Sequence, residues 1–218
     1  MTVEEAEDIF EKYFNTKPNV KKSIDDVHEF AKQYGYVDTM QGHRRFIHNA
    51  MSKDTTKKNE ALRQSFNTII QGTGGFLTNM SLTYIDDFIQ QRNMKSKIVA
   101  TVHDSIVIDC PPEEVELIGK VSKHIMENLP YDFLNIEIDG EMKPYPIEAD
   151  YEIGLSYNDM VDYDEDLIKD FNSYKGYIKY KMALQTIEDY FESGKITEEE
   201  KESKENYIKG NKEAFTKI

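Results

Sequence analysis

Apolar residues near the start of the chain recur at Val3, Ala6, Ile9, Phe10 and Tyr13, the three-to-four spacing of one helix face. Thr2 followed by Glu5 adds a capping box. This helix is predicted to stop near Asn15, ahead of Pro18, because the residue before a proline is pushed out of helical geometry. A second helix is expected from a Ser23 cap through Ile24, Val27, Phe30 and Ala31, stopped by Gly35. YVDTMQGHRRFI at 36–47 is richer in strand formers, and Gly42 offers a tight turn, so it reads as an irregular hairpin or loop. From about 59 to 91 helical spacing returns on both sides of QGTGG, whose glycines at 72, 74 and 75 are expected to weaken or bend the helix. In KIVATVHDSIVIDCPP at 97–112, two apolar runs flank His103-Asp104, the pattern of a strand–turn–strand hairpin.

Pro111-Pro112 then lead into an amphipathic helix over 112–128, with a stripe of Val115, Ile118, Val121 and Ile125. MKPYPIEADYEIG at 142–154 reads as one extended strand. Beyond about Met160 the chain becomes rich in Lys, Glu and Tyr, with Gly194 as a stop and Thr197/Glu200 as a second capping box. A helical extension is expected there.

Composition narrows the class. With 218 residues and 39% apolar content the chain can bury a sizeable core. Its single cysteine, Cys110, excludes an internal disulfide and a cysteine-based zinc cluster. No apolar run approaches the length of a membrane span and no leader pattern opens the chain, so the expectation is a soluble, cytoplasmic protein without a membrane partner. The net charge of −14 argues against nucleic acid until its distribution is considered. Residues 1–109 carry 14 Lys and Arg against 15 Asp and Glu, whereas 110–218 carry 13 against 26. Within 36–63, six basic residues including Arg44, Arg45 and Arg63 face three acidic ones. A locally basic segment of this kind can contact phosphates.

Two groups could carry chemistry. Asp104 at a hairpin tip suits turn geometry, and it is equally a rigid way to present one carboxylate to a divalent cation. His103 beside it reads either as a hydrogen-bonded turn residue or as a catalytic one. Arg63, Asn67 and Gln71, spaced by four, lie along one side of a helix. They form either a solvated face or a row of donors for minor-groove acceptors, and the glycine cluster that follows suggests a surface pressed against something.

QSFNTIIQGTGGFLTNMSLTYID, followed by KIVATVHDSIVIDCPPEEV, resembles the C-terminal palm and fingers region of family A DNA polymerases, the bacterial DNA polymerase I type, including phage-type members. The resemblance extends back through YGYVDTMQGHRRFI, similar to the family's GYVxTxxGRRR segment, and EEAEDIFEKYFNTKPNVKKSI. It continues forward to EADYEIGLSYNDM, so that it covers about 2–160. It implies that Asp104 is a metal-binding aspartate for Mg2+ and that His103 contacts the primer terminus. It implies that Arg63, Asn67 and Gln71 read the minor groove of the nascent duplex, and that Arg44 and Arg45 lie near the template. The partners implied are primer–template DNA and a dNTP. Two positions depart from the pattern: Ser105 stands where the family usually has Glu, and His43 replaces the first Arg of GRRR.

The family's other palm aspartate and its nucleotide-binding helix have no counterpart in the sequence. One carboxylate cannot hold two divalent ions in octahedral geometry. The expectation is therefore the C-terminal part of a split, interrupted or truncated polymerase. It would be inactive alone, and would work with an N-terminal polymerase part or self-associate. The alternative is a polymerase-derived protein that binds DNA or another protein without catalysis and regulates replication. The fold expected is α+β. Residues 1–58 would form partial helical fingers. Residues 59–160 would form a palm with a small antiparallel sheet at about 98–109 and 144–153, and 161–218 an acidic helical extension.

Overall fold

The computed structural model describes residues 2–217; the side chain of Val3, one of the apolar positions of the first helix, lies outside that description. In chain order the elements are α1 (Val3–Thr16), α2 (Pro18–Tyr34), β1 (Tyr36–Asp38), β2 (Arg44–Phe46), α3 (Thr55–Gln91), β3 (Lys97–Val102) and β4 (Ser105–Asp109). They continue with α4 (Val115–Glu127), β5 (Asn135–Ile138), β6 (Glu141–Pro144), β7 (Glu152–Ile153), β8 (Val161–Asp162), α5 (Tyr174–Glu192), α6 (Glu198–Gly210) and α7 (Lys212–Thr216). The architecture is α+β, and every strand pair is antiparallel. In place of one sheet joining 98–109 to 144–153, the strands form four separate hairpins, β1–β2, β3–β4, β5–β6 and β7–β8.

Residues 1–109 with 128–146 make one compact unit, and 110–127 with 147–218 make a second. In the first, α1 opens on the expected capping box: the Thr2 hydroxyl accepts from the Glu5 amide and the Glu5 carboxylate accepts from the Thr2 amide. α2 does not wait for Ser23. It starts at Pro18, whose fixed φ suits the first helical position and whose missing N–H is not needed there, and it ends at Gly35 in the left-handed conformation with φ 75°. The core of this unit is built from small and medium residues, namely Ala31, Val37, Ile47, Ala50, Ala61 and Leu62.

α3 runs unbroken for 37 residues, about 55 Å at the helical rise; the glycines at 72, 74 and 75 do not end it. The Asp54 carboxylate caps its start by accepting from the amides of Thr56 and Lys57. Its buried face carries Ser65, Thr68, Thr73 and Thr78. Each donates its hydroxyl to a carbonyl three or four residues back, so the small polar face is satisfied inside the helix. Gly72 has a packing role: a Cβ there would come within 2.8 Å of the Thr39 methyl group.

β5 and β6 form a tight hairpin, and the single strand expected over 142–154 is divided between β6 and β7. Asp139 and Gly140 turn the hairpin with φ 54° and 82°, the two left-handed positions that a type I′ turn requires.

In the second unit a 3-10 turn at Pro112–Glu114 leads into α4. Gly119 on α4 lies under the Tyr151 ring, where a Cβ would collide with the ring edge, and Tyr151 stacks on Tyr163 at 4.7 Å. The extension is helical as expected. Its α6 carries the Thr197/Glu200 capping box, and Gly194 takes φ 68° after α5. Phe171, Tyr177, Ile178 and Tyr180 form an aromatic core with Val161.

Candidate nucleic-acid interface

All residues singled out by the sequence lie in the first unit, and all are exposed. β3 and β4 pair from Lys97↔Asp109 to Val102↔Ser105, with an irregularity between Ile98 and Ala100. His103 and Asp104 are therefore the two residues of the turn. His103 has φ 56° while Asp104 is not in the positive-φ region, so the left-handed position of this turn is held by a residue with a side chain. A histidine held there stores on the order of 1–2 kcal/mol of backbone strain. The Ser105 hydroxyl closes the turn by donating to the Val102 carbonyl at 2.8 Å. The residue standing where the resemblance leads one to expect a carboxylate thus braces the loop and adds no charge. Among the described residues the Asp104 carboxylate has no hydrogen-bond or ion-pair partner, and no three His, Cys, Asp or Glu side chains gather as a metal site. Asp104 fits one ligand position of a divalent ion; a complete set of ligands is not assembled by the described residues.

Arg63, Asn67 and Gln71 stand in an exposed row on α3. Among the described residues none of the three side chains is engaged in a hydrogen bond or ion pair. Gly74 and Gly75 continue this exposed face, with nothing within 4 Å of where a Cβ would sit. The face is thus a line of free donors running into bare backbone.

Arg44 and Arg45 are held differently. β1 and β2 pair Tyr36↔Phe46, Val37↔Arg45 and Asp38↔Arg44, and alternation along a strand sends these pairs to opposite faces. On the inward face Val37 is buried and the Arg45 guanidinium donates to the Thr68 hydroxyl at 3.0 Å. On the outward face Arg44 donates twice to Asp38, at 2.8 and 3.0 Å, and lies 3.8 Å from the Tyr36 ring centre. The Asp38 carboxyl is held below its ordinary range, first by the hydrogen bond from Arg44. The hairpin tip is tied to α3 by the Met40 amide donating to the Thr73 hydroxyl, and by Gln41 donating to the Gly72 carbonyl.

Asp38 and Tyr36, which fix Arg44, escaped the sequence reading. Their signal is the five-residue span from Thr39 to His43, which sets Asp38 opposite Arg44 once the segment is read as a regular hairpin.

Comparison with known proteins gives a consistent result. The sequence model of DNA polymerase family A matches residues 1–159. The DNA polymerase of Bacillus phage SP01 is 38% identical over the whole of this chain, which spans 21% of that protein. DNA polymerase I of Geobacillus stearothermophilus is 26% identical over 73% of this chain and 17% of its own length. A solved structure described as the POL domain of Pol1 from M. smegmatis in complex with DNA primer-template and dNTP superposes with a TM-score of 0.56 and 25% identity. It covers 58% of this chain and 22% of that one. The chain thus spans about a fifth of the length of these relatives. The family match ends near the start of β8, and the phage protein alone of these three is similar through α5, α6 and α7 as well. By its match over residues 1–159, this chain belongs to DNA polymerase family A.

Proposed function

We propose that this chain supplies the C-terminal palm and part of the fingers of a family A DNA polymerase, contributing to template-directed nucleotidyl transfer in DNA replication. The carrying observation is the unpartnered row of Arg63, Asn67 and Gln71 on an exposed helix face that continues into Gly74 and Gly75. Donors left free on a rigid helix match purine N3 and pyrimidine O2 acceptors, which every base pair offers in the minor groove. Such a surface holds a duplex without selecting its sequence. Arg44 and Arg45, already oriented by Asp38 and Thr68, are assigned to the template strand.

Asp104 serves as one ligand to Mg2+, with the second carboxylate coming from outside this chain. The chemistry such a metal supplies when bound is activation of the primer 3′ hydroxyl and neutralisation of the departing pyrophosphate. His103, fixed by its strained turn, orients the primer terminus. With one carboxylate at the tip, the chain requires the remaining polymerase part to act on a dNTP. The uncovered apolar side chains Ile9, Phe10 and Tyr13 on α1 suit packing against that part. Such a complex would be assembled in the cytoplasm of a bacterial or host cell.

The test combines this chain with a polypeptide carrying the rest of a related family A polymerase and measures Mg2+-dependent primer extension. Extension that is lost on Asp104→Ala, with duplex binding lost on Arg63→Ala/Asn67→Ala, is the expected result. Duplex binding without extension in any combination would leave the non-catalytic, DNA-binding reading in its place.

A further inference from the structure

The outward face of the β1–β2 hairpin presents an unusual surface. Tyr36 and Phe46 are cross-strand partners with ring centres 6.2 Å apart. The last turn of α2 extends the patch: Phe30 lies 5.4 Å from Tyr36 and 4.6 Å from Tyr34. At the other end His48 lies nearly parallel to Phe46, at 6.3 Å and 14°. Phe30, Tyr34 and Phe46 are 38, 50 and 62% exposed, so rings that ordinarily fill cores are held in water. Arg44 lies over Tyr36 within the same patch.

From these observations we infer a second nucleic-acid site, a stacking platform for a single strand made by Tyr34, Tyr36, Phe46 and His48 with Arg44. Unpaired bases stack on aromatic faces and on guanidinium planes, and a basic surface holds the backbone. The sequence around the platform is locally basic within an acidic protein, with Lys53, Lys57 and Lys58 following His48. Duplex DNA keeps its bases stacked on one another and cannot use such a surface, which restricts the ligand to unpaired nucleotides. The site does not depend on catalysis or on any other part of a polymerase.

The test uses the full chain, fluorescence anisotropy at low salt, and two probes: a labelled oligothymidylate and a blunt duplex. The Tyr34→Ala/Phe46→Ala variant is expected to bind the oligothymidylate roughly fivefold or more weakly, the scale of losing a stacked base, with duplex affinity unchanged. Phe46→Trp keeps a ring and is expected to retain binding, which separates stacking from any disturbance of the hairpin. Arg63→Ala/Asn67→Ala is expected to show the reverse pattern. Wild-type chain that binds the duplex and not the oligothymidylate would overturn the platform while leaving the minor-groove reading intact. Oligothymidylate binding without duplex binding would do the opposite. Equal oligothymidylate affinity of the wild type and the double alanine variant would also overturn it, and would return the aromatic face to a protein partner.

Discussion

The two units solve the problem of burial in opposite ways. The first, which carries most of the family-matched residues, has one core cluster of alanines, two aliphatic residues of moderate size and one leucine, with Ile85, Ile89 and Leu129 buried besides. It covers its longest helix with hydroxyls that bond back to their own backbone, and it leaves aromatic rings and free donors outside. The second buries large rings. Tyr177 is fully enclosed, donates its hydroxyl to the Asp162 carbonyl at 2.6 Å and accepts from the Asp164 amide at 2.8 Å. The C-terminal helix α7 closes over this core, with Phe215 against Tyr180 and its carbonyl above Gly176, where a Cβ has no room. Most of the exposed large apolar side chains lie in the first unit, and side chains held at the surface cannot also fill a core. The second, lying largely outside the family match, gathers Phe171, Tyr177 and Tyr180 into its core.

The strongest way to break this comparison is Tyr177→Ala, expected to cost roughly 3–5 kcal/mol because a large ring leaves a cavity. Tyr177→Phe keeps the ring and removes the hydroxyl between two backbone groups, at about 1–3 kcal/mol. Urea unfolding followed by circular dichroism, with limited proteolysis to locate the damage, should find cleavage in 147–218. Equal loss of protection in both units would show that their stabilities are not separate.

A smaller contrast lies within α3. Gly74→Ala and Gly75→Ala fill open space on an exposed helix and should each stabilise by roughly 0.5–1 kcal/mol. Gly72→Ala meets the Thr39 methyl group and should give no such gain. Thermal melts of the three variants decide the point, and a gain at position 72 would remove its packing role.

The smallest effect is electrostatic. The Glu127 carboxyl is held below its ordinary value of 4.5, first by the Ala149 amide that donates to it and then by Lys123. A carboxyl lowered by folding contributes stability that is fully present above that ordinary value and is lost as the pH falls through its folded one. Acid titration of the second unit should therefore show a component below pH 4.5 that Glu127→Gln removes. An unchanged acid profile in that variant would assign the loss to other carboxylates.

Much of the local structure was legible because its causes are local. The capping boxes at Thr2 and Thr197, the left-handed stop at Gly35, and the hairpin turning at His103-Asp104 all depend on residues within a few positions of one another. The row of Arg63, Asn67 and Gln71 followed from helical periodicity alone. Two features had a signal that went unread: Pro18, which starts α2 five residues before Ser23, and Asp139-Gly140, a strong hairpin dipeptide between strand-forming runs.

The chain by itself determined its family, its capped helices, the Asp104 turn and the exposed donor row, since each rests on short-range geometry or on matching residue patterns. Tertiary structure alone decided the rest. Gly72, Gly74 and Gly75 remain helical in a segment where Thr39 packs at Gly72 and the buried hydroxyls satisfy themselves along the turn. Arg44 and Arg45 point to opposite faces because of hairpin register. Residues 98–109 and 144–153 do not share a sheet: β3 and β4 pair with each other, and which further strand edge a hairpin meets is not encoded in its own sequence.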